Sequence, residues 1–165
     1  MRKKLIYHLS LIAILAALSS VLRIWLVALP NIKPITAMFF AFILFLGLSD
    51  SLWIMSITML TTGLLLGFSP LVFGQIFVYA LLMIIFKLLS KIIKNIWTLS
   101  ILTGSLALLY GFLISLCSGI LYGFGPAGFI GYWLAGLPFD LAHAVSTFLF
   151  FPIVLLIFKR IKALR

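Results

Sequence analysis

The residues best suited to chemistry in this sequence are an aspartate and a histidine in its last third. Asp140 and His143 are three residues apart, a spacing that places both side chains on one face of a helix. A carboxylate in such an apolar segment is costly unless it is paired, caps a helix or faces a polar cavity. Asp140 is therefore either a helix-start carboxylate paired with Arg23 or Lys33, or part of a substrate site.

The rest of the sequence favours binding over catalysis. The chain has two aspartates, no glutamate, and one further histidine, His8, near its other end. A zinc ion requires more ligands than this pair supplies, and motifs such as H-E-x-x-H or a phosphate loop are missing. The single cysteine, Cys117, cannot form an internal disulfide and is interpreted as a packing residue. We expect no catalytic residue, metal or cofactor; a small membrane enzyme using Asp140 and His143 is one alternative.

The composition of the chain is that of a membrane protein. Hydrophobic residues make up 65% of its 165 residues and charged residues 8%, whereas soluble domains are about one quarter charged. Six apolar runs predict an all-α integral membrane protein with six transmembrane helices in one domain, residues 1–165. Pro138 is expected in the first turn of the sixth helix, and Asp50 is expected to cap the third helix at a tight turn, Ser49–Ser51. The runs are Leu5–Leu29, Ile35–Leu48, Leu52–Phe68, Leu71–Leu89, Ile96–Tyr122 and Pro138–Phe158.

The basic residues predict the orientation of these helices. With six crossings and a cytoplasmic N-terminus, only Arg23 and Lys33 of the 12 basic residues lie on the outer side. The formal net charge of +10 is then a topology signal, with anionic lipid headgroups as secondary partners, rather than a sign of nucleic-acid binding. We expect both termini in the cytoplasm. The inner residues are Arg2, Lys3, Lys4, Lys87, Lys91, Lys94, Lys159, Arg160, Lys162 and Arg165.

Polar and aromatic residues gather on the predicted outer side. The segment Leu29–Thr36 contains two prolines and is not plain helix. The segment Gly123–Leu137, which includes Trp133, is rich in glycine and aromatic residues. It is expected to form either a lid or a binding surface, or else an interfacial aromatic belt. Gln75 and Tyr79 share one face near the outer end of the fourth helix. No continuous polar stripe crosses the bilayer, which disfavours a channel and fits a pocket that opens on one side.

The first helix has a face of small residues. Ala13 and Ala17 lie one turn apart, and Leu9 and Val21 continue the same face. Small residues at this spacing allow close approach of helices in lipid, where packing drives association. The face either receives a partner subunit or packs against another helix of the same chain.

These features together resemble the substrate-binding S components of energy-coupling factor (ECF) vitamin transporters. The similarity covers nearly the whole chain in its size and six-helix plan. Ala13 and Ala17 are similar to the alanine motif with which these proteins contact their coupling subunit. The stretches Leu29–Thr36 and Gly136–His143 resemble the first outer loop and the start of the sixth helix in a branch that contains uncharacterised and cobalamin-type S components. The pair Ser146–Thr147 departs from the family, in which glycine and asparagine are expected.

The resemblance implies a function in transport. An S component captures a vitamin or vitamin precursor at the outer face of a prokaryotic plasma membrane. It joins one membrane coupling subunit and two cytoplasmic ATPase subunits, which hydrolyse the ATP. A ligand-free structural subunit is the second alternative. Under the transport interpretation Ala13 and Ala17 face the partner, and the expected substrate-binding residues are Asn31, Lys33, Gln75, Tyr79, Trp133, Asp140 and His143.

Overall fold

The computed structural model describes residues 2–29 and 31–163, in which all regular elements are α-helices. The predicted end of the first run at Pro30 and the basic residue Arg165 lie outside the described residues. The six helices are α1 (Arg2–Trp25), α2 (Ile35–Leu46), α3 (Leu48–Leu66), α4 (Leu71–Leu89), α5 (Ile96–Tyr122) and α6 (Gly128–Ala163).

Five of these helices are long and apolar enough to cross a bilayer, and α2 is the exception. Their outward surfaces expose many large hydrophobic side chains, such as Ile14, Leu64 and Phe77. Such apolar surfaces are favourable in contact with lipid chains and unfavourable in contact with water. The prediction of an all-α, multi-pass membrane protein is therefore confirmed.

Helix α2 is short and forms the centre of the bundle. Its 12 residues span about 18 Å, whereas the hydrocarbon core of a bilayer is about 30 Å thick. All residues from Ile35 to Ile43 are buried, as expected for a helix that is apolar on every side. Phe40 packs on Phe86 of α4, and Phe42 packs edge-on against Phe158 of α6. The helix thus fills the space that the five longer helices enclose.

Contacts between helix ends show that successive helices alternate in direction. At one end of the bundle His8 of α1 meets Asp50 of α3, and Phe45 of α2 packs on Phe158 of α6. At the other end, Thr36 at the start of α2 contacts both α4 and α6. The first group of contacts marks the end that has most of the basic residues, and the second marks the end that has Arg23 and Lys33.

The turn between α2 and α3 differs from the prediction. The break is the single residue Gly47, whose φ of 91° is a conformation that favours glycine, and the predicted turn Ser49–Ser51 is helical. The prediction that Asp50 caps α3 is wrong, because Gly47 occupies the N-cap position and no side chain caps the helix. Asp50 instead lies in the first turn, where its Oδ1 is 3.2 Å from Nε2 of His8. This contact ties the starts of α1 and α3 together.

Helix α6 begins ten residues before its predicted start. Pro138 lies inside the helix rather than in its first turn, and most of the segment predicted as an outer loop is helical. Neighbouring helices make such interior prolines tolerable in membrane proteins, because they satisfy the freed backbone groups. With 36 residues, α6 is about 54 Å long and extends beyond the hydrocarbon core. The first turns of α6 pack on the end of α5. There the Tyr132 hydroxyl lies at hydrogen-bond distance, 2.9 Å, from the Ser118 hydroxyl.

The alternation of helix directions, combined with the basic residues, gives a test of topology. In a Cys117→Ala background, Lys91→Cys lies between α4 and α5, and Ala127→Cys lies between α5 and α6; both positions are exposed. We expect a membrane-impermeant maleimide to label Ala127→Cys in intact cells and Lys91→Cys only after permeabilisation. Labelling of both positions from the same side would contradict the orientation.

Candidate binding cavity

A polar cavity lies at the end of the bundle that has Arg23 and Lys33. Its volume is about 310 Å³, near the lower limit of about 300–1,000 Å³ that is usual for small-molecule pockets. All six helices or their connections contribute to its wall. The lining residues are Arg23, Asn31, Lys33, Ile35, Thr36, Met59, Leu71, Gln75, Tyr79, Tyr110, Ile114, Ser115, Ser118, Tyr132, Asp140 and His143.

Asp140 is the acidic residue of the cavity wall. Its side chain is buried, with the residue 7% exposed, and its Oδ2 atom has no hydrogen-bond partner among the described residues. The carboxyl group rests against Gly111 of α5, where an added Cβ would lie 2.1 Å from its Cγ atom. Neither Arg23 nor Lys33 is within ion-pair distance of Asp140 in the part of the chain that the structure describes. The alternative pairing of Asp140 with Arg23 or Lys33 is thus not formed, and one oxygen of this cavity-lining carboxyl group is left without a hydrogen-bond partner among the described residues.

His143 is held in place by a short chain of hydrogen bonds. The Thr36 hydroxyl lies 2.8 Å from His143 Nε2 and 2.8 Å from the Tyr79 hydroxyl. The Tyr79 ring stacks on Tyr110 with a 4.2 Å separation of ring centres, and Tyr110 meets the His143 ring edge-on. Because these polar groups satisfy one another, they form a rigid wall with a mixed polar and aromatic surface.

The connection between α1 and α2 is fixed to α6 at two points. The Asn31 amide donates to the carbonyl oxygen of Phe139 at 3.0 Å. The backbone N–H of Lys33 donates to the Ser146 hydroxyl at 3.1 Å, and that hydroxyl donates to the Lys33 carbonyl at 3.3 Å. Ser146 therefore holds the backbone of Lys33, which lines the cavity, against α6.

Two cationic side chains line the cavity without a carboxylate partner among the described residues. The Arg23 guanidinium donates to Gln75 Oε1 at 3.2 Å and also contacts the Met59 sulfur. Burial lowers the pKa of Lys33, and the positive charge of Arg23 lowers it further. Two cations near each other in a partly buried place make the site attractive to an anionic group.

The structure brings together six of the seven residues predicted to bind substrate. These six line the cavity: Asn31, Lys33, Gln75, Tyr79, Asp140 and His143. Trp133 does not line it, because α6 continues through this segment and turns the indole toward Phe112, which it meets edge-on. The indole Nε1 atom is buried without a hydrogen-bond partner among the described residues.

Sequence reasoning did not assign several lining residues to the site. On α5, Tyr110, Ile114 and Ser118 recur at helical spacing, a pattern that indicates one shared face. Thr36 was visible only as the end of a proline-containing segment, and its two hydrogen bonds depend on how α2, α4 and α6 pack. Gly111 gave no sequence signal, because its role is to leave room for Asp140.

The face of α1 that includes Ala13 and Ala17 lies on the outside of the bundle. Both alanines are exposed, and so are Leu9 and Val21 on the same face. The neighbouring face of α1 packs internally, since Ala16 is 1% exposed and its carbonyl oxygen accepts a 3.4 Å hydrogen bond from Thr58 of α3. The groove between the two alanines is thus not filled by another helix of the described chain.

Comparison with known proteins does not add to this description. No protein-family model, curated protein or solved structure matches the chain. The fold and the cavity define the class of protein: a multi-pass helical membrane protein with a polar cavity at one end of the bundle.

Proposed function

We propose that this protein is the substrate-binding S component of an ECF-type transporter in a prokaryotic plasma membrane. It captures a vitamin-like small molecule at the outer face for ATP-driven import. The observation that supports this most is the position of the cavity, which is confined to one end of the bundle. Fully buried phenylalanines of α2, such as Phe39 and Phe42, fill the centre. A protein of this construction binds from one side and has no polar path through it.

The energy for import comes from partner subunits in this proposal. The sequence has no phosphate-loop motif, and its two carboxylates, Asp50 and Asp140, lie at opposite ends of the bundle. The exposed groove at Ala13 and Ala17 supplies a contact face for a membrane coupling subunit, because small side chains permit close approach of a second helix. Two cytoplasmic ATPases would act through that coupling subunit.

The size of the cavity narrows the choice of ligand. A volume of about 310 Å³ suits a compact molecule with a few polar groups. Cobalamin, a ligand of the branch that the outer loop resembles, would have to extend well beyond this cavity. The proposal is therefore a transporter component for a compact vitamin or precursor.

The experiment that tests the proposal is identification of the bound molecule. Protein purified in mild detergent is denatured, and the released small molecules are identified by mass spectrometry. We expect one compound in near-stoichiometric amount. Asp140→Ala should weaken its binding at least about tenfold, or about 1.4 kcal/mol, by calorimetry. The matched control is Asp50→Ala, which removes the carboxylate at the other end of the bundle and should leave affinity unchanged.

The other outcomes identify the alternatives. If no compound is released and none from a vitamin panel binds, the protein is a ligand-free structural subunit. Chemical conversion of the bound compound by the purified chain, lost in Asp140→Ala, would identify a membrane enzyme instead. Binding that survives Asp140→Ala at full affinity would show that the carboxylate has a purely structural role.

A further inference from the structure

The charges that line the cavity specify more about the ligand than its size. Asp140 lines the cavity, and its Oδ2 atom is buried without a hydrogen-bond partner among the described residues. A buried acceptor without a hydrogen-bond partner destabilises the protein, and more strongly so when the acceptor is charged. A bound ligand that places an N–H donor against Asp140 removes this cost.

The cationic side of the cavity has the opposite requirement. Arg23 is oriented by neutral acceptors, Gln75 and Met59, and these leave its positive charge uncompensated. Lys33 is fixed through its backbone by Ser146, so that its ammonium group remains available to the cavity. An anionic group on the ligand would neutralise both cations at once.

The remaining polar groups of the wall do not add a charge requirement. Thr36, Tyr79 and His143 satisfy one another through two 2.8 Å hydrogen bonds. They offer shape and aromatic surface, against which the apolar part of a ligand packs. The charge pattern that the ligand must match is therefore set by one carboxylate and two cations.

We propose, on the basis of the proposed function, that the ligand is a compact zwitterion. Its anionic group binds Arg23 and Lys33, and its ammonium group binds the carboxylate of Asp140. Neutral and purely cationic molecules of the same size leave the two cations uncompensated, and purely anionic molecules leave the Asp140 oxygen without a donor. Charge pairing of both kinds is the basis of selectivity in this site.

Three probes of nearly equal size test this proposal. They are 4-(aminomethyl)benzoate, which is a zwitterion, 4-methylbenzoate, which is only anionic, and benzylamine, which is only cationic. Affinities are measured by calorimetry on the detergent-purified protein after removal of any bound compound. We expect the zwitterion to bind at least about tenfold more tightly than either relative.

Variants assign each part of the preference to its residue. Asp140→Asn should reduce the advantage of the zwitterion over 4-methylbenzoate to less than about threefold, since the ammonium group loses its ion pair. Lys33→Gln should reduce the advantage in affinity of the zwitterion over benzylamine. The control Lys91→Gln removes an exposed charge at the other end of the bundle and should leave both affinity ratios unchanged. Equal binding of 4-methylbenzoate and the zwitterion, or a preference that survives Asp140→Asn, overturns the proposal.

This test is separable from the test of function. A released compound that is not a zwitterion, or failure of all three probes to bind, overturns the ligand class and leaves capture of a small molecule intact. The proposed function itself is removed by the absence of any released or bound compound, or by chemical conversion of that compound by the purified chain.

Discussion

Leucine at both Ala13 and Ala17 should abolish uptake while leaving ligand affinity within about twofold of the unmodified protein. The two methyl groups border a shallow groove on the exposed face of α1, and two leucine side chains would fill it. A partner helix would then be held away along its whole crossing and would lose its dispersion contacts. The cavity does not include either alanine, so the ligand should bind as before.

Three measurements on one variant check this expectation: ligand affinity, co-purification with the coupling subunit, and uptake in cells. The matched control is Ala16→Leu, one residue away, where the alanine is buried against α3. That variant should lower the melting temperature, because an added side chain overpacks the core. Normal assembly and uptake by the Ala13→Leu, Ala17→Leu variant would show that this face meets lipid alone.

The second large effect is expected from a single methyl group at Gly111. An alanine there would place its Cβ 2.1 Å from the Asp140 Cγ atom, so the carboxyl group must shift away from this position on α5. A displaced Asp140 carboxyl group could no longer form the proposed ion pair and would take up space that the ligand needs. We therefore expect Gly111→Ala to weaken binding about 100-fold, or about 2.7 kcal/mol. The change is in a helix interior, where alanine is itself favourable by about 0.5–1 kcal/mol, so the fold should survive.

Calorimetry with the released compound measures this effect, and two further variants make it specific. Gly74→Ala is the matched control, because its Cβ would meet Cys117 at an ordinary 3.5 Å. In the double variant Gly111→Ala, Asp140→Ala the clash is gone, and affinity should equal that of Asp140→Ala alone. Such non-additivity is the signature of two residues that act through direct contact. Full affinity of Gly111→Ala would show that Asp140 moves without consequence and is not a binding residue.

The sequence was sufficient for the class of fold and for much of the cavity. Long apolar runs have few alternatives to transmembrane helices, and the scarcity of charges made Asp140, Lys33 and Arg23 conspicuous. The bounds of α4 and α5 agree with the predicted runs. Membrane sequences are informative in this respect because a charged residue within the bilayer is energetically costly, so its presence indicates a structural or functional role.

The errors have a common physical origin in packing between helices. Pro138 and the nearby glycines suggested a loop, but contact with α5 keeps this stretch helical and carries Trp133 away from the cavity. The partners of Thr36 and the space at Gly111 depend on the rotation of each helix about its axis. Hydrophobic periodicity is weak in lipid-exposed helices that are apolar on all sides, so this rotation was not readable.

The anchored connection between α1 and α2 has a consequence for the entropy of binding. Asn31 and the Lys33 backbone are bonded to α6 by residues of the chain itself. Ordering a mobile loop on binding would cost about 0.5–1.5 kcal/mol for each immobilised side chain, and here little of that cost remains. Preorganisation of this kind would lower the dissociation constant of a ligand, because less conformational entropy is lost on binding.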